Sequence, residues 1–257
     1  MFMPGFEVYD LSLSPSDAEN SILTVETHAS DLTAIRYNRE HIFMGFSNGA
    51  VNNEIQVYTY NYEKIKTIPI EFNDYLNNMS LLMNDRFIVG SHSQGRLSII
   101  NLETDSSTVL DSDAIDDSIQ NVWGTTILHT RPEGEPQIFF AYTNNGLYKC
   151  CLTEEGEFIN SFDSYLEGHD VQKSIMVNDY EILVSLKKED WNKVVLLNTD
   201  TSAMRVIIPK SQAVSCLGIA RIPTVNTPPY YMFHTCKGLY LVNLEKGKNY
   251  ALTHSIQ

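Results

Sequence analysis

The chain has 257 residues, 43% hydrophobic and 11% aromatic, a composition that supplies a sizeable core and excludes a disordered or fibrous polypeptide. Eighteen Lys and Arg against 32 Asp and Glu give a formal charge of −14, a field that repels phosphate backbones, so nucleic acid is not an expected partner. No run approaches the roughly 18 apolar residues of a membrane span, and Met1 to Asp10 carries no basic stretch followed by an apolar one; the expectation is no membrane insertion and an intracellular, cytoplasmic or nuclear, location.

In chain order, the first strand-like segment is FEVYDL (6–11), followed by a second at 22–26. A four-part cycle then begins: LTAIRYN (32–38), HIFMGF (41–46), IQVYTY (55–60) and IKTIPIE (65–71). It recurs as MSLLMN, RFIVGSH, LSIINL and STVLD, and again as WGTTILHT, QIFFAYT, LYKCCL and FINSF. The fourth cycle is SIMVND, EILVSL, VVLLNT and MRVIIP, and the fifth is CLGIARI, YYMFHT, LYLVNL and YALTH. Each segment alternates or concentrates β-branched, aromatic and aliphatic residues, and the second and third of a cycle are mostly joined by a short polar turn bearing Gly, which is a hairpin signature. No segment holds the 3.6-residue spacing and caps of a helix.

Aligned at Tyr9, Tyr58, Ile100, Cys150, Leu197 and Val242, the third-type segments lie 42 to 50 residues apart. That period suits four strands with their turns. The predicted fold is therefore all-β, a single β-propeller over 1–257 built of four-stranded antiparallel blades. It has an N-terminal half blade at 5–27 and five complete blades at about 30–72, 75–110, 118–163, 170–209 and 213–254. A longer full chain would carry six or seven.

Few motifs suggest chemistry. Gly45-Phe46-Ser47-Asn48-Gly49 has the GxSxG spacing of serine hydrolases, but that Ser needs a strand-to-helix turn, and here another strand follows. Ser93-Gln94-Gly95 and Thr143-Asn144-Asn145-Gly146 occupy the same hairpin in later cycles, so the segment reads as a turn in which Gly and Asn accept positive φ. Asp111, Asp113, Asp116 and Asp117 cluster without the Gly and terminal Glu of a calcium loop. The four cysteines, Cys150, Cys151, Cys216 and Cys236, show no metal-ligand spacing and read as thiols of a reducing compartment. No phosphate-binding or zinc-protease motif occurs, so no cofactor, metal or catalytic residue is expected.

The repeats resemble the WD-repeat family. Gly168-His169-Asp170 stands where the family carries its Gly-His pair, and Leu197-Asn198, with Tyr9-Asp10 the nearest match, stands at the Trp-Asp position. His28 in ETHASDLTAI occupies the matching place in another repeat. The resemblance implies a structural hydrogen-bond network, for which His169, Asp190 and Ser185 are the candidates, with His28 its counterpart. It also implies that the connections between blades converge on one face. Those connections carry Asp31, Glu71, Phe72, Tyr75, Asp113, Asp116, Asp117, Tyr165 and Glu167, where aromatic anchors ringed by carboxylates favour a basic peptide. The functional expectation is a non-catalytic protein-protein interaction scaffold or adaptor subunit of an intracellular multiprotein complex. The alternative is a propeller hydrolase of sialidase or glycosidase type, whose repeated Ser-x-Asp-x-Gly-x-Thr-Trp boxes are absent. The half blade leaves a ring to be completed, either by more of the same polypeptide or by a partner strand through β-augmentation.

Overall fold

The computed structural model describes residues 5–9, 21–26, 31–47, 53–70, 74–82, 85–111, 114–128, 135–188, 191–208, 216–222, 229–235, 238–244 and 248–252. A two-stranded sheet, β1 (Gly5–Tyr9) with β2 (Ser21–Glu26), precedes five four-stranded antiparallel sheets among these residues. The first of the five comprises β3 (Asp31–Tyr37), β4 (His41–Ser47), β5 (Asn53–Thr59) and β6 (Lys64–Ile70). The second comprises β7 (Leu76–Leu81), β8 (Phe87–His92), β9 (Leu97–Asn101) and β10 (Ser106–Leu110). In the third lie β11 (Val122–Ile127), β12 (Gln137–Thr143), β13 (Gly146–Leu152) and β14 (Phe158–Tyr165). The fourth has β15 (Asp170–Met176), β16 (Glu181–Lys188), β17 (Trp191–Asn198) and β18 (Met204–Ile208), and the fifth has β19 (Cys216–Ile222), β20 (Tyr230–Thr235), β21 (Gly238–Asn243) and β22 (Lys248–Leu252). Each sheet pairs its strands in chain order, so consecutive segments are neighbours and no crossover is needed.

The sheets are arranged radially through their first strands: β3 packs on β7, β7 on β11, β11 on β15 and β15 on β19. Alternation along the central strands explains the packing, because successive side chains point to opposite faces. On β8 and β9, Ile88 and Ile100 join the core shared with the first sheet, whereas Phe87, Val89, Leu97 and Ile99 join the core shared with the third. Both faces are buried, which is why these strands read as nearly continuous apolar runs. Further cores lie between the third and fourth sheets, around Phe140, Val171 and Val184, and between the fourth and fifth, around Leu183, Phe233 and Val242. Cys150 sits in the core between the second and third sheets, and burial pushes its thiol well above the usual range.

The sheets also interlock through their turns. Gly156, in the turn between β13 and β14, has φ +87° and lies so close to the Phe87 ring of the second sheet that an added Cβ would stand 2.4 Å from it. Gly156→Ala therefore meets both a left-handed backbone and a clash with a buried ring. The expected outcome is a loss of about 2 kcal/mol in urea unfolding.

One feature recurs in all five first strands: a β-bulge near the start, with Thr33, Asn77, Trp123, Gln172 and Leu217 as the extra residues. A bulge re-aims the side chain it adds. Asn77 Nδ2 donates to the Val122 carbonyl (2.8 Å) and Trp123 Nε1 to Asp170 Oδ1 (2.8 Å), each reaching the first strand of the following sheet. Arg36 donates to Asn78 Oδ1 (2.9 Å), Ser80 Oγ to the Thr125 carbonyl (3.1 Å) and Thr126 Oγ1 to the Ser174 carbonyl (2.9 Å). Polar groups thus stitch successive inner strands together where the wedge of apolar side chains narrows.

Candidate partner-binding face

In an antiparallel sheet paired in chain order, the start of the first strand, the end of the second, the start of the third and the end of the fourth share one end. The connections between sheets and the hairpin turns within them consequently meet along one rim, and hydrogen bonds fix them to each other.

Between the first two sheets the organiser is Asp74. Its buried carboxylate accepts from the Tyr75 N–H (2.7 Å), the Gln94 N–H (2.9 Å) and the Ser93 hydroxyl, so the connection before β7 is tied to the β8–β9 turn. Asn53 Nδ2 donates to the Asp74 carbonyl, and Ser47 Oγ donates to Asn53 Oδ1 (2.6 Å) while accepting from the Leu76 N–H (3.2 Å). Ser47, the residue at the centre of the GxSxG spacing, is thus a fully buried structural link. Tyr75 is half-buried, and its hydroxyl reaches Asp31 Oδ2 at 3.5 Å. Burial and the Asp31 carboxylate raise its pKa. Asp31 itself is exposed.

The third sheet repeats the device with an asparagine. Asn144 Oδ1, in the β12–β13 turn, accepts from the N–H groups of Gln120 and Asn121 (2.8 Å each) and pins the connection before β11. Asp116 accepts from the Ser118 N–H (2.8 Å), the Ser118 hydroxyl (2.5 Å) and Tyr148 Oη (2.8 Å). Those bonds hold the Asp116 carboxyl below the usual carboxylate range. Asn145 extends the chain of bonds, donating to Ser118 Oγ and accepting from the Gly168 N–H (3.1 Å) ahead of the fourth sheet. Asp117 projects into solvent beside this cluster.

In the connection before β15, Glu167 is exposed and accepts from Ser164 Oγ, and His169 Nδ1 donates to the Glu167 carbonyl (3.1 Å). Ser185 is buried on β16. Tyr165 departs from the expectation of a surface anchor. It closes β14 with 9% of its surface exposed, packs against Phe140 and donates its hydroxyl to the Thr199 carbonyl (3.0 Å), because its ring falls on the face of the strand that meets the fourth sheet. Glu71, Phe72, Asp113, Asp190 and His28 lie outside the described residues.

The structure therefore brings Asp31 to Tyr75 and strings Asp116, Asn145, Ser118 and Gly168 together, leaving Asp31, Asp117 and Glu167 as exposed carboxylates on a fixed backbone. Sequence reasoning missed Asp74, Asn144 and Asn145. The available signal was an Asp or Asn beside a strand or in its turn, where a short polar side chain captures backbone N–H groups. Among the described residues no three His, Cys, Asp or Glu side chains gather as a metal would require, and no helix is long and apolar enough to cross a membrane.

No family model matches the chain, and no curated protein matches its sequence. Solved structures do match its fold. The β-propeller domain of Myceliophteria thermophila Cps50 (Swd1) aligns with TM-score 0.58 at 10% identity, over 85% of this chain and 68% of that one. The Neurospora crassa Pan2 WD40 domain aligns with TM-score 0.61 at 11% identity, over 88% of this chain and 66% of that one. The chain thus has a WD40-like β-propeller fold and spans about two thirds of the length of these structures.

Proposed function

We propose that this chain is a non-catalytic interaction scaffold or adaptor subunit of an intracellular multiprotein complex, and that its acidic rim holds a basic peptide or loop of a partner. The observation that carries the reading is the hydrogen-bonded framework of Asp74, Asn144, Asn145 and Asp116, which fixes the connections bearing Asp31, Tyr75, Asp117 and Glu167. A backbone ordered before binding loses little entropy on association, and exposed carboxylates around a half-buried aromatic select Lys- or Arg-bearing segments over acidic ones. The net charge of −14 adds long-range steering toward a basic surface. Glu71, Phe72 and Asp113 belong to the same connections and to the same proposal. Tyr165 supports this rim from within.

The hydrolase alternative finds no foothold at Ser47, whose hydroxyl is consumed by the link to Asn53 and Leu76. The test is affinity purification from the source cell with quantitative mass spectrometry, comparing the chain with Asp31→Asn, Asp117→Asn, Glu167→Gln and with Tyr75→Ala. A specific partner is expected to be retained at least ten-fold less by the triple variant, and its binding to weaken steeply with salt. Retention unaffected by either change would remove the rim as the binding surface.

A further inference from the structure

At the end away from the rim, the gap between the second and third sheets is closed by a ring. Phe87, the first residue of β8, lies against the β13–β14 turn, where Gly156 leaves room for it, and Arg86 donates to the Glu154 carbonyl of that turn (3.4 Å). The counterpart of Phe87 in the first sheet is His41. Leu82 N–H donates to the Phe87 carbonyl as Asn38 N–H does to that of His41, and each residue begins the ladder with its third strand, Phe87 opposite Asn101 and His41 opposite Thr59. Here the gap to the next sheet is open: a cleft of about 580 Å³ lies between His41, Phe43, Val57 and Ile65 of the first sheet and Arg86 and Leu102 of the second. Close-packed interiors leave few voids larger than a water molecule, so an opening of this size is a distinct feature of the gap.

The floor of the cleft is apolar. Phe43 and Val57 are buried, and the His41 ring meets the Phe43 ring edge-on with centroids 6.2 Å apart. The His41 ring nitrogens have no hydrogen-bond partner among the described residues. Ile65 is the extra residue of a bulge in β6, between Lys64 opposite Tyr58 and Lys66 opposite Val57, and it lines the cleft with 48% of its surface exposed. Lys66 crosses the gap, donating to the Leu102 carbonyl (2.8 Å) and pairing with Asp105, so the two walls are tied together beside the opening. The charged lining is balanced: Arg39, Lys66 and Arg86 stand against Glu40, Asp85 and Glu103, with Arg86 Nε 3.2 Å from Glu103 Oε1.

We propose that this cleft is a binding site for an uncharged, mainly apolar small molecule with a ring system and one hydrogen-bonding group. Its volume lies within the roughly 300–1,000 Å³ of small-molecule pockets, which combine an apolar lining with a few polar groups that fix orientation. The ring system lies on Phe43, Val57 and Leu102 beneath Ile65, and the polar group meets the His41 imidazole, which can donate or accept. The balanced lining gives neither sign of charge a counter-ion, and the field of a chain at −14 disfavours an anion. The Lys66 bridge favours a compact ligand over a polypeptide running across the gap. The site is separate from the acidic rim and does not depend on it.

The test uses the whole chain and two fluorescent probes that share one ring system: neutral phenylnaphthylamine and its anionic relative anilinonaphthalene sulfonate. Saturable one-to-one enhancement of phenylnaphthylamine fluorescence is expected, with the sulfonate binding about ten-fold more weakly because it carries a charge into an apolar site of an acidic chain. His41→Phe places a ring where Phe87 stands in the next gap, and Ile65→Asp places a charge at the mouth. Each should weaken phenylnaphthylamine about ten-fold or more, by loss of space or of apolar contact. Met204→Asp, a change at an equally exposed apolar side chain on the fourth sheet, should leave binding unchanged. Ile65→Asp alters a half-exposed side chain, and circular dichroism checks that all three variants fold. Absence of saturable binding, binding indifferent to both His41→Phe and Ile65→Asp, equal loss in Met204→Asp, or a sulfonate that binds as tightly as the neutral probe overturns the proposal. So do nuclear Overhauser contacts in the free protein from the Met83 methyl to those of Val57 or Leu102, since the turn ahead of Asp85, which lies outside the described residues, would then be the occupant.

Discussion

Replacing Asp74 with Ala is expected to lower the unfolding free energy by about 3 kcal/mol, because the N–H groups of Tyr75 and Gln94 and the Ser93 hydroxyl lose a shared acceptor in a place where water does not replace it. Asp74→Asn keeps one acceptor oxygen and should cost about 1 kcal/mol by the same reasoning. Urea unfolding of the two variants measures the difference. The Ala variant should also loosen the rim before the molecule unfolds, so that amides of Tyr75 and Gln94 exchange faster than those of the core strands. Equal stability of wild type and Asp74→Ala would show that the β8–β9 turn is not held through this carboxylate.

The second large effect is acid destabilisation through His92. Its ring is fully buried at the end of β8, with Nε2 at 2.9 Å from Ser98 Oγ. Burial, with a further contribution from the Arg96 charge, lowers its pKa to about 3. An unfolded chain returns the ring to about 6.5, so between these values the unfolded state holds a proton that the native state refuses. The stabilisation is complete above pH 6.5 and is lost as the pH falls toward 3. Linkage puts the loss at about 2 kcal/mol by pH 5 and about 4 kcal/mol at pH 3. His92→Gln removes this contribution while leaving the carboxylates to titrate as before. The wild-type stability curve should therefore fall more steeply than the variant's from pH 6.5 downward, and parallel curves would contradict the assignment.

Much of the architecture could be read from residues alone, because strands buried on both faces declare themselves as apolar runs and their hairpins as Gly-bearing turns. Gly95 and Gly146 do adopt positive φ in those turns, at +78° and +143°. The limits of such reading are physical. β17 begins at Trp191 rather than at the apolar run starting with Val194, because Lys188 and Lys187 pair with Trp191 and Asn192, and a ladder of backbone hydrogen bonds is indifferent to side-chain polarity. The bulges at Thr33, Asn77 and Trp123 shift the parity of each first strand by one, and no local pattern announces an extra residue.

On the rim, acidic and aromatic residue types drew attention to the connections between sheets but not to which of their side chains hold backbone and which face solvent. Asp74 and Asp116 look like solvated charges in a linear reading, yet both are occupied in holding backbone. Tyr165 looks like an exposed anchor and is packing instead, since the choice depends on which face of β14 its position falls.

The central functional claim is that partners engage the rim on which the sheet connections meet. Carboxyl footprinting of the chain within its native complex tests it most directly. Asp31, Asp117 and Glu167 are predicted to be shielded from labelling relative to the isolated chain, while Asp85 and Asp200, exposed at the opposite ends of their sheets, keep their reactivity. Shielding of Asp85 and Asp200 with Asp31, Asp117 and Glu167 still fully reactive would place the partner on the other face and contradict the account.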